Sequence, residues 1–191
     1  MRNLFCLVNL ILLVSCHSNP QVEIKTTEGI IIVEIFEKNA PLTASNFLRL
    51  VDDKKYEGAV FYRVVTQSNQ GNNPIKIEVI QGGLFSDERV EAVDPILHET
   101  TNETNVFHID GTISMARLEP GTASSEFFIC VGDQRELDFG GKRNPDGQGF
   151  AAFGVVVKGM DVVKKIHALD NTNQMLDTQV MIESISRINI E

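Results

Sequence analysis

Hydrophobic and polar residues alternate along much of this chain, which predicts many short β-strands. Alternation begins at Val22, and a β-branched run begins at Ile30 after a turn, so residues 22–36 are predicted to form a hairpin. Later runs of the same character predict further strands at Val60–Val65 and at residues 75–81, 111–116, 127–131, 152–157 and 178–190.

Two segments have the spacing of helices. In residues 39–53, Pro41 stands at a position suited to the first turn, and apolar residues then recur on one helix face. Residues 159–169 show a similar apolar stripe. Because strands dominate and do not alternate with helices, we predict a mainly β, closed or nearly closed antiparallel structure with helices at its ends. The polar stretches 87–108 and 132–149 are predicted to be long loops, which often carry function.

The first residues predict a signal peptide. The apolar run at residues 4–14 follows Arg2 and is shorter than the ~20 residues that cross a bilayer as a helix. It ends in the letters LVSC, which resemble the lipobox of bacterial lipoproteins. This resemblance implies cleavage before Cys16 and lipidation of its thiol. An ordinary secretory signal with a chance cysteine is the alternative.

Processing before Cys16 would divide the chain into a signal peptide, a lipidated cysteine with a short linker, and one domain, at residues 1–15, 16–20 and 21–191. Cys130 would then be the one cysteine inside the domain, so we expect no internal disulfide. His17 stands where lipoproteins retained at the inner membrane commonly have Asp. We therefore expect an exported, periplasm-facing protein anchored to a membrane, with the outer membrane preferred.

The charge of the chain argues against two classes of partner. The formal net charge is −9, whereas a nucleic-acid-binding protein needs a basic surface and so does electrostatic docking to anionic lipid. The lipid on Cys16 is thus the expected membrane contact. The four histidines are scattered without the spacing of metal ligands, so no metal site is predicted, and His98 and His108 are expected to be solvated loop residues.

Six blocks of the sequence form a recognisable series, namely GIIIVEIFEKNAPLTASNFLRLV, YEGAVFYRVV, VIQGGLF, GTISMAR, SSEFFIC and FAAFGVVVKGMDVVKKI. Taken in this order, they resemble the conserved blocks of cyclophilin-type peptidyl-prolyl isomerases. They cover most of residues 22–190 and are most similar to bacterial periplasmic members. The resemblance implies a closed eight-stranded antiparallel barrel capped by two α-helices. It also implies a monomeric isomerase, without a cofactor, that acts on X–Pro bonds in unfolded or extended exported polypeptides.

Arg63 is the catalytic residue that the resemblance implies. Rotation about an amide breaks its resonance and has a barrier of ~18–20 kcal/mol. In the twisted state the prolyl nitrogen regains its lone pair, so a guanidinium donor stabilises that state more than the planar ones. Strand alternation predicts that Phe61, Arg63 and Val65 share one face. Without the family block, a surface salt bridge would be the more usual role for an arginine.

The resemblance also implies the residues that bind the substrate. Phe128 is expected to form the floor of an apolar proline pocket, while its neighbour Phe127 enters the core. Gln81 is expected to bond to the substrate backbone or to hold Arg63. The other substrate-binding residues implied are Phe61, Val79, Ala116, Arg117, Glu126, Leu137 and Phe150.

Several positions depart from the family pattern. Tyr62 replaces a usual His, Arg117 replaces a common Asn, and the segment 66–76 is longer than usual. Glu126 replaces a usual Gln and is expected to lie near Arg63. We expect it to orient the guanidinium and leave activity largely intact; the alternative is that it competes with the substrate for Arg63. Two functions therefore stay open: an active isomerase, or a catalytically weak module that binds proline-containing segments as a chaperone or adaptor.

Overall fold

The computed structural model describes residues 18–188, so the predicted signal peptide and the lipidation of Cys16 lie outside the described residues. Within this range the strands are β1 (Gln21–Thr26), β2 (Gly29–Ile35), β3 (Val60–Val65), β4 (Val79–Gly83), β5 (Thr112–Met115), β6 (Phe127–Cys130), β7 (Ala151–Lys158), β8 (Asn171–Thr172) and β9 (Met175–Ile188). The helices are α1 (Pro41–Asp52), α2 (Asp87–Glu91), α3 (Thr101–Thr104) and α4 (Met160–His167). None of these described helices is long and apolar enough to cross a membrane.

Eight strands close into an antiparallel barrel, as predicted. The order around the barrel is β1-β2-β7-β5-β6-β4-β3-β9, and β9 pairs back with β1. The short strand β8 pairs with β9 outside this ring. Closure pairs both edges of the sheet, which removes the exposed edges that would otherwise template association.

Helices α1 and α4 pack against the barrel at the positions predicted from their apolar stripes. Phe47 of α1 enters the barrel core, where its ring centroid lies 5.7 Å from that of Phe127 and 5.1 Å from that of Phe153. Ile166 of α4 is buried in the same core. Gly159 before α4 has φ +95°, and a Cβ there would contact the backbone of β2, so glycine permits this close approach.

Two predicted elements differ from the structure. The strand predicted at residues 75–81 begins only at Val79, because the side chain of Gln70 bonds to both backbone groups of Ile77, at 2.8 and 3.1 Å. The loop predicted at residues 87–108 contains the short helices α2 and α3. The described chain therefore has four helices where two were predicted.

A β-bulge in β3 decides the position of Phe61. Phe61 and Arg63 pair with consecutive residues of β4, so Tyr62 is an extra residue that interrupts the alternation. Phe61 is consequently turned into the barrel interior, where it is fully buried with its ring 5.8 Å from that of Phe127. Arg63 instead lines a groove on the outer face of the sheet. The prediction that Phe61 lines the proline pocket is therefore wrong.

Candidate active site

The outer face of β3, β4 and β6 carries a groove whose deepest part is a pocket of about 180 Å³. The lining residues are Arg63, Ile77, Val79, Gln81, Ala116, Arg117, Leu118, Phe128, Leu137 and Phe150. The fold thus brings together every residue predicted to be catalytic or to bind substrate, except Phe61 and Glu126. Ile77 and Leu118 were not predicted as site residues, because each lies just outside the sequence blocks that resemble the family.

The floor of this pocket is a second apolar cluster, distinct from the barrel core. Phe128 belongs to it together with Val79 and Leu137, and all three are almost completely buried. Phe150 packs edge-on against Phe128 with ring centroids 5.3 Å apart. The predicted division between Phe127 and Phe128 is therefore present. The result is a narrow apolar slot, a shape that suits a small rigid ring such as that of proline.

Arg63 is held at the wall of the slot by two glutamines. Its Nη1 donates to Oε1 of Gln81 at 2.8 Å, while Nε and Nη2 donate to Oε1 of Gln174 at 3.1 and 2.5 Å. Burial lowers the pKa of the guanidinium from its ordinary value, although an arginine stays charged at neutral pH. The slot therefore has a positioned cation beside its apolar floor. Of the two roles predicted for Gln81, the structure shows that it holds Arg63.

Gln174 is a site residue that the sequence did not reveal. It lies in the turn between β8 and β9, 111 residues from Arg63, and has a left-handed backbone with φ +74°. Its side-chain amide also donates to the carbonyl of Asn69 at 3.2 Å, which links the turn to the long 66–76 segment. Only the pairing of β9 with β3 brings this turn to the groove.

Glu126 does not hold Arg63, so the expectation that it orients the guanidinium directly is wrong. Its Oε1 instead accepts the backbone N–H of Leu84 at 2.6 Å, and its carboxylate lies where a side chain at Gly83 would be. Burial raises the pKa of this carboxyl above its ordinary value. The hydroxyl of Tyr62 lies near the carboxylate and partly opposes that rise, although it does not reach hydrogen-bonding geometry with Oε2.

The side chain of Arg117 is used to hold a loop. It donates to both carboxylate oxygens of Asp146, at 2.8 and 3.0 Å, and twice to the carbonyl of Gly149, at 2.9 and 2.6 Å. Its guanidinium also lies over the ring of Phe150, 5.2 Å from the centroid. Arg117 therefore fixes Phe150 at the rim of the slot.

His108 supports the slot from behind. Its ring stacks on Phe128 with centroids 5.9 Å apart and is completely buried, so the expectation of a solvated loop histidine is wrong. Nδ1 lies 2.8 Å from Oδ1 of Asp138, and Nε2 lies 2.9 Å from the hydroxyl of Ser114. Burial lowers the pKa of His108, and Asp138 opposes that change. Among residues 18–188, no three His, Cys, Asp or Glu side chains are arranged to hold a metal ion.

Comparison with protein families and curated proteins agrees with this site. Residues 21–187 match the family described as cyclophilin type peptidyl-prolyl cis-trans isomerase/CLD. A peptidyl-prolyl cis-trans isomerase of Acinetobacter baylyi is 34% identical over 185 residues, covering 94% of this chain and 90% of that protein. Peptidyl-prolyl cis-trans isomerase B of Escherichia coli is 34% identical over 148 residues, covering 76% of this chain and 82% of its own length. The chain belongs to the cyclophilin family, and it is an enzyme of the peptidyl-prolyl cis-trans isomerase class.

Solved structures share the fold. A cyclophilin-type isomerase of Cryptosporidium parvum has a TM-score of 0.71 at 19% identity, covering 90% of this chain and 99% of its own. A second structure of that protein, in the presence of the dipeptide Ala-Pro, has a TM-score of 0.70 at 20% identity and covers 89% of this chain and 99% of its own. At this level of identity the likeness concerns the fold alone, and it confirms the predicted barrel.

Proposed function

We propose that the groove binds extended, proline-containing segments of exported polypeptides and that Arg63 accelerates rotation about their X–Pro bonds. One observation carries this proposal: the held guanidinium of Arg63 and the aromatic floor of Phe128 line the same pocket of about 180 Å³. The structure of the Cryptosporidium parvum relative in the presence of Ala-Pro supports a proline-containing substrate.

Arg63 has the donors that the reaction needs. A guanidinium has five N–H groups, and Arg63 donates three to the amides of Gln81 and Gln174. The others are available to the prolyl nitrogen when that nitrogen becomes pyramidal. In the planar ground state the prolyl nitrogen has no lone pair available to the guanidinium. The hydrogen bond therefore stabilises the transition state more than the bound substrate and lowers the barrier. A ten-thousand-fold acceleration requires ~5.5 kcal/mol of such preference.

The remaining groove residues would place the proline. The ring would lie on Phe128 between Val79, Leu137 and Phe150, which exclude water from the rotating amide. Because the side chain of Arg117 is bonded to Asp146 and to a backbone carbonyl, its contribution to substrate binding would come from its backbone.

Proline isomerisation in a short X–Pro peptide tests the function. We expect wild type to accelerate the exchange, and Arg63→Ala to lower kcat/KM by about a hundredfold or more, as for loss of one preorganised donor. Arg63→Lys is the matched control, because it keeps the charge without the planar set of donors. If wild-type protein bound the peptide without accelerating its isomerisation, the catalytically weak binding module would replace the enzyme.

We also propose that the enzyme acts outside the cytoplasm as a lipoprotein anchored through Cys16, with the outer membrane preferred. The letters LVSC at the end of a short apolar run support this proposal. Mass spectrometry of the mature protein from its native host should find an N-terminal, lipid-modified Cys16. An unmodified N-terminus at another residue would contradict the anchor and leave the isomerase activity untouched.

A further inference from the structure

The groove continues from the proline slot into a second pocket. This second pocket has a volume of about 210 Å³ and shares four lining residues with the slot; its own residues are Val90, Thr122, Ser124 and Glu126. A water molecule occupies about 30 Å³ in the liquid, so the volume corresponds to roughly seven waters. That space suits one long side chain of a polypeptide whose proline lies in the slot.

The surface of the second pocket is mostly apolar, although Thr122 and Ser124 also line it. Val90 and Ala116 form its sides, and Leu118, which is 87% exposed, stands at the mouth where the two pockets meet. Such walls pack well against methylene groups, which lysine and arginine have along most of their length. A short polar side chain would leave these walls uncovered.

Glu126 is the acidic residue that lines the second pocket. The pocket is also lined by Arg117, but that guanidinium forms a bidentate ion pair with Asp146 and is therefore neutralised. Glu126 forms no ion pair among residues 18–188: Oε1 accepts the backbone N–H of Leu84, and the buried Oε2 makes no hydrogen bond, although the hydroxyl of Tyr62 lies near the carboxylate. A carboxylate has about four acceptor sites, so this group keeps capacity for a cationic donor. An unpaired buried polar atom is uncommon in a folded protein and calls for an explanation.

The surroundings of the pocket strengthen its negative character. The neighbouring segment 87–94, which contributes Val90 to the wall, has four exposed acidic side chains, namely Asp87, Glu88, Glu91 and Asp94. Its one cation, Arg89, donates to the carbonyls of Lys55 and Glu57 and so is turned toward the segment that follows α1. The groove therefore attracts positive charge on this side of the slot.

We propose that the second pocket binds the side chain of a lysine or arginine near the proline of the substrate, with Glu126 as its counter-ion. This inference rests on the proposed binding of proline-containing segments in the groove. It gives Glu126 a role in substrate choice, and it explains why a carboxylate is kept with one oxygen unbonded. The apolar stem lies between Val90 and Leu118, and the charged end reaches the carboxylate.

Peptides that differ at one position test this specificity. Lysine, norleucine or glutamate is placed in turn at each of four positions, the two before the proline and the two after it. The value of kcat/KM is measured for each peptide. Norleucine matches the length of lysine without its charge. We expect one position at which wild type prefers lysine over norleucine by about tenfold, as for a charged hydrogen bond in a partly buried site, with glutamate disfavoured.

The ratio of lysine to norleucine rates is then compared within each variant, so that any change in basal activity cancels. In Glu126→Gln the ratio should fall to about one, because the amide keeps the size and loses the charge. Glu119→Gln is the matched control, since Glu119 is an exposed acid close to the pocket mouth that does not line it. Its ratio should stay at the wild-type value.

Three results would overturn the inference. The first is that wild type prefers lysine at none of the tested positions, and the second is that the preference persists in Glu126→Gln. The third is an equal fall of the lysine-to-norleucine ratio in Glu119→Gln, which would indicate an effect of general surface charge. Turnover of the norleucine peptide separates this inference from the proposed function. If norleucine peptides are isomerised without any lysine preference, the enzyme stands and only the role of Glu126 is lost.

Discussion

The two faces of β6 bear adjacent phenylalanines with opposite surroundings. On the inner face, the Phe127 ring meets Phe47, Tyr56 and Phe61 edge-on, with centroids 5.7 to 5.8 Å apart. On the outer face, Phe128 contacts Phe150 and His108, and the pocket of about 180 Å³ adjoins it.

This difference separates the residues that stabilise the fold from those that act on a ligand. The rings on the inner face are almost completely buried, so each of them completes the packing of another. On the outer face, His108 and Phe150 pack against Phe128, and the pocket beside it is where the ring of a substrate proline would complete the packing. Similar side chains on one strand thus serve stability on one face and recognition on the other.

The strongest test of this comparison replaces each phenylalanine by alanine. Phe127→Ala should lower the free energy of unfolding by about 3–5 kcal/mol, because it leaves a cavity in a filled core. Phe128→Ala should cost less stability but lower kcat/KM about tenfold or more, since the proline ring would lose an apolar surface worth ~1.5–3 kcal/mol. Denaturant unfolding and the isomerisation assay measure the two effects.

Phe139→Ala is the control for this pair, because the Phe139 side chain is 45% exposed and belongs to neither cluster. It should change both quantities little. The comparison fails if Phe128→Ala destabilises the protein as much as Phe127→Ala and the folded variant keeps full activity.

A smaller effect is expected from Gln174, which positions Arg63 and lies outside the slot. Gln174→Ala removes the acceptor of two guanidinium N–H groups, so we expect kcat to fall about tenfold with little change in KM, consistent with loss of one charged hydrogen-bonded contact. Steady-state kinetics provide the two constants. Gln174→Glu should restore most of kcat, because it keeps an acceptor oxygen at the same place.

The matched control is Gln67→Ala, since Gln67 is an exposed glutamine whose side chain donates to Glu78 on the surface. Its kinetic constants should remain those of wild type. An equal loss in both variants, or a rise in KM alone for Gln174→Ala, would contradict the positioning of Arg63 by Gln174.

The smallest effect concerns the support of Phe128 by His108. Burial lowers the pKa of His108 in the folded protein, so the unfolded chain takes up the proton first as the pH falls below the ordinary value of about 6.5. The stabilisation is therefore complete above that pH and is lost as the pH falls toward the folded-state pKa, at no more than about 1.4 kcal/mol per pH unit.

Urea unfolding at pH 7.5 and pH 5.5 measures this loss in wild type. His108→Gln is the comparison, because it keeps a polar side chain of related length without the titrating ring. The pH-dependent loss should be smaller in the variant. Equal losses in both proteins would show that other groups account for the acid sensitivity.

Local patterns predicted the barrel and most of the slot. The helices at Pro41 and Met160, the strands β3 and β6, and the opposite faces of Phe127 and Phe128 follow from periodicities of two and 3.6 residues. The resemblance to the family then assigned chemistry to residues that those periodicities place on a surface. Eight of the ten predicted groove residues line the slot, because they belong to strands or to loops tied to strands.

The residues whose positions were predicted wrongly, Phe61 and His108, are placed by contacts with other segments of the chain. Phe61 faces the core because Tyr62 forms a bulge where β3 pairs with β4. The sequence of β3 alone contains no pattern that predicts this bulge. His108 is buried where Asp138, 30 residues away, and Ser114 each lie within hydrogen-bonding distance of one of its ring nitrogens.

The order of apolar and polar residues determined the class of fold, the two capping helices and the position of Arg63 on a strand, since these depend on neighbours a few residues apart. Barrel closure decided the rest. It brought Gln174 to Arg63 across 111 residues, moved Phe61 into the interior, and bonded Glu126 to Leu84 instead of to the guanidinium. A side chain's partner depends on which strands meet, and that is set by the packing of the whole barrel.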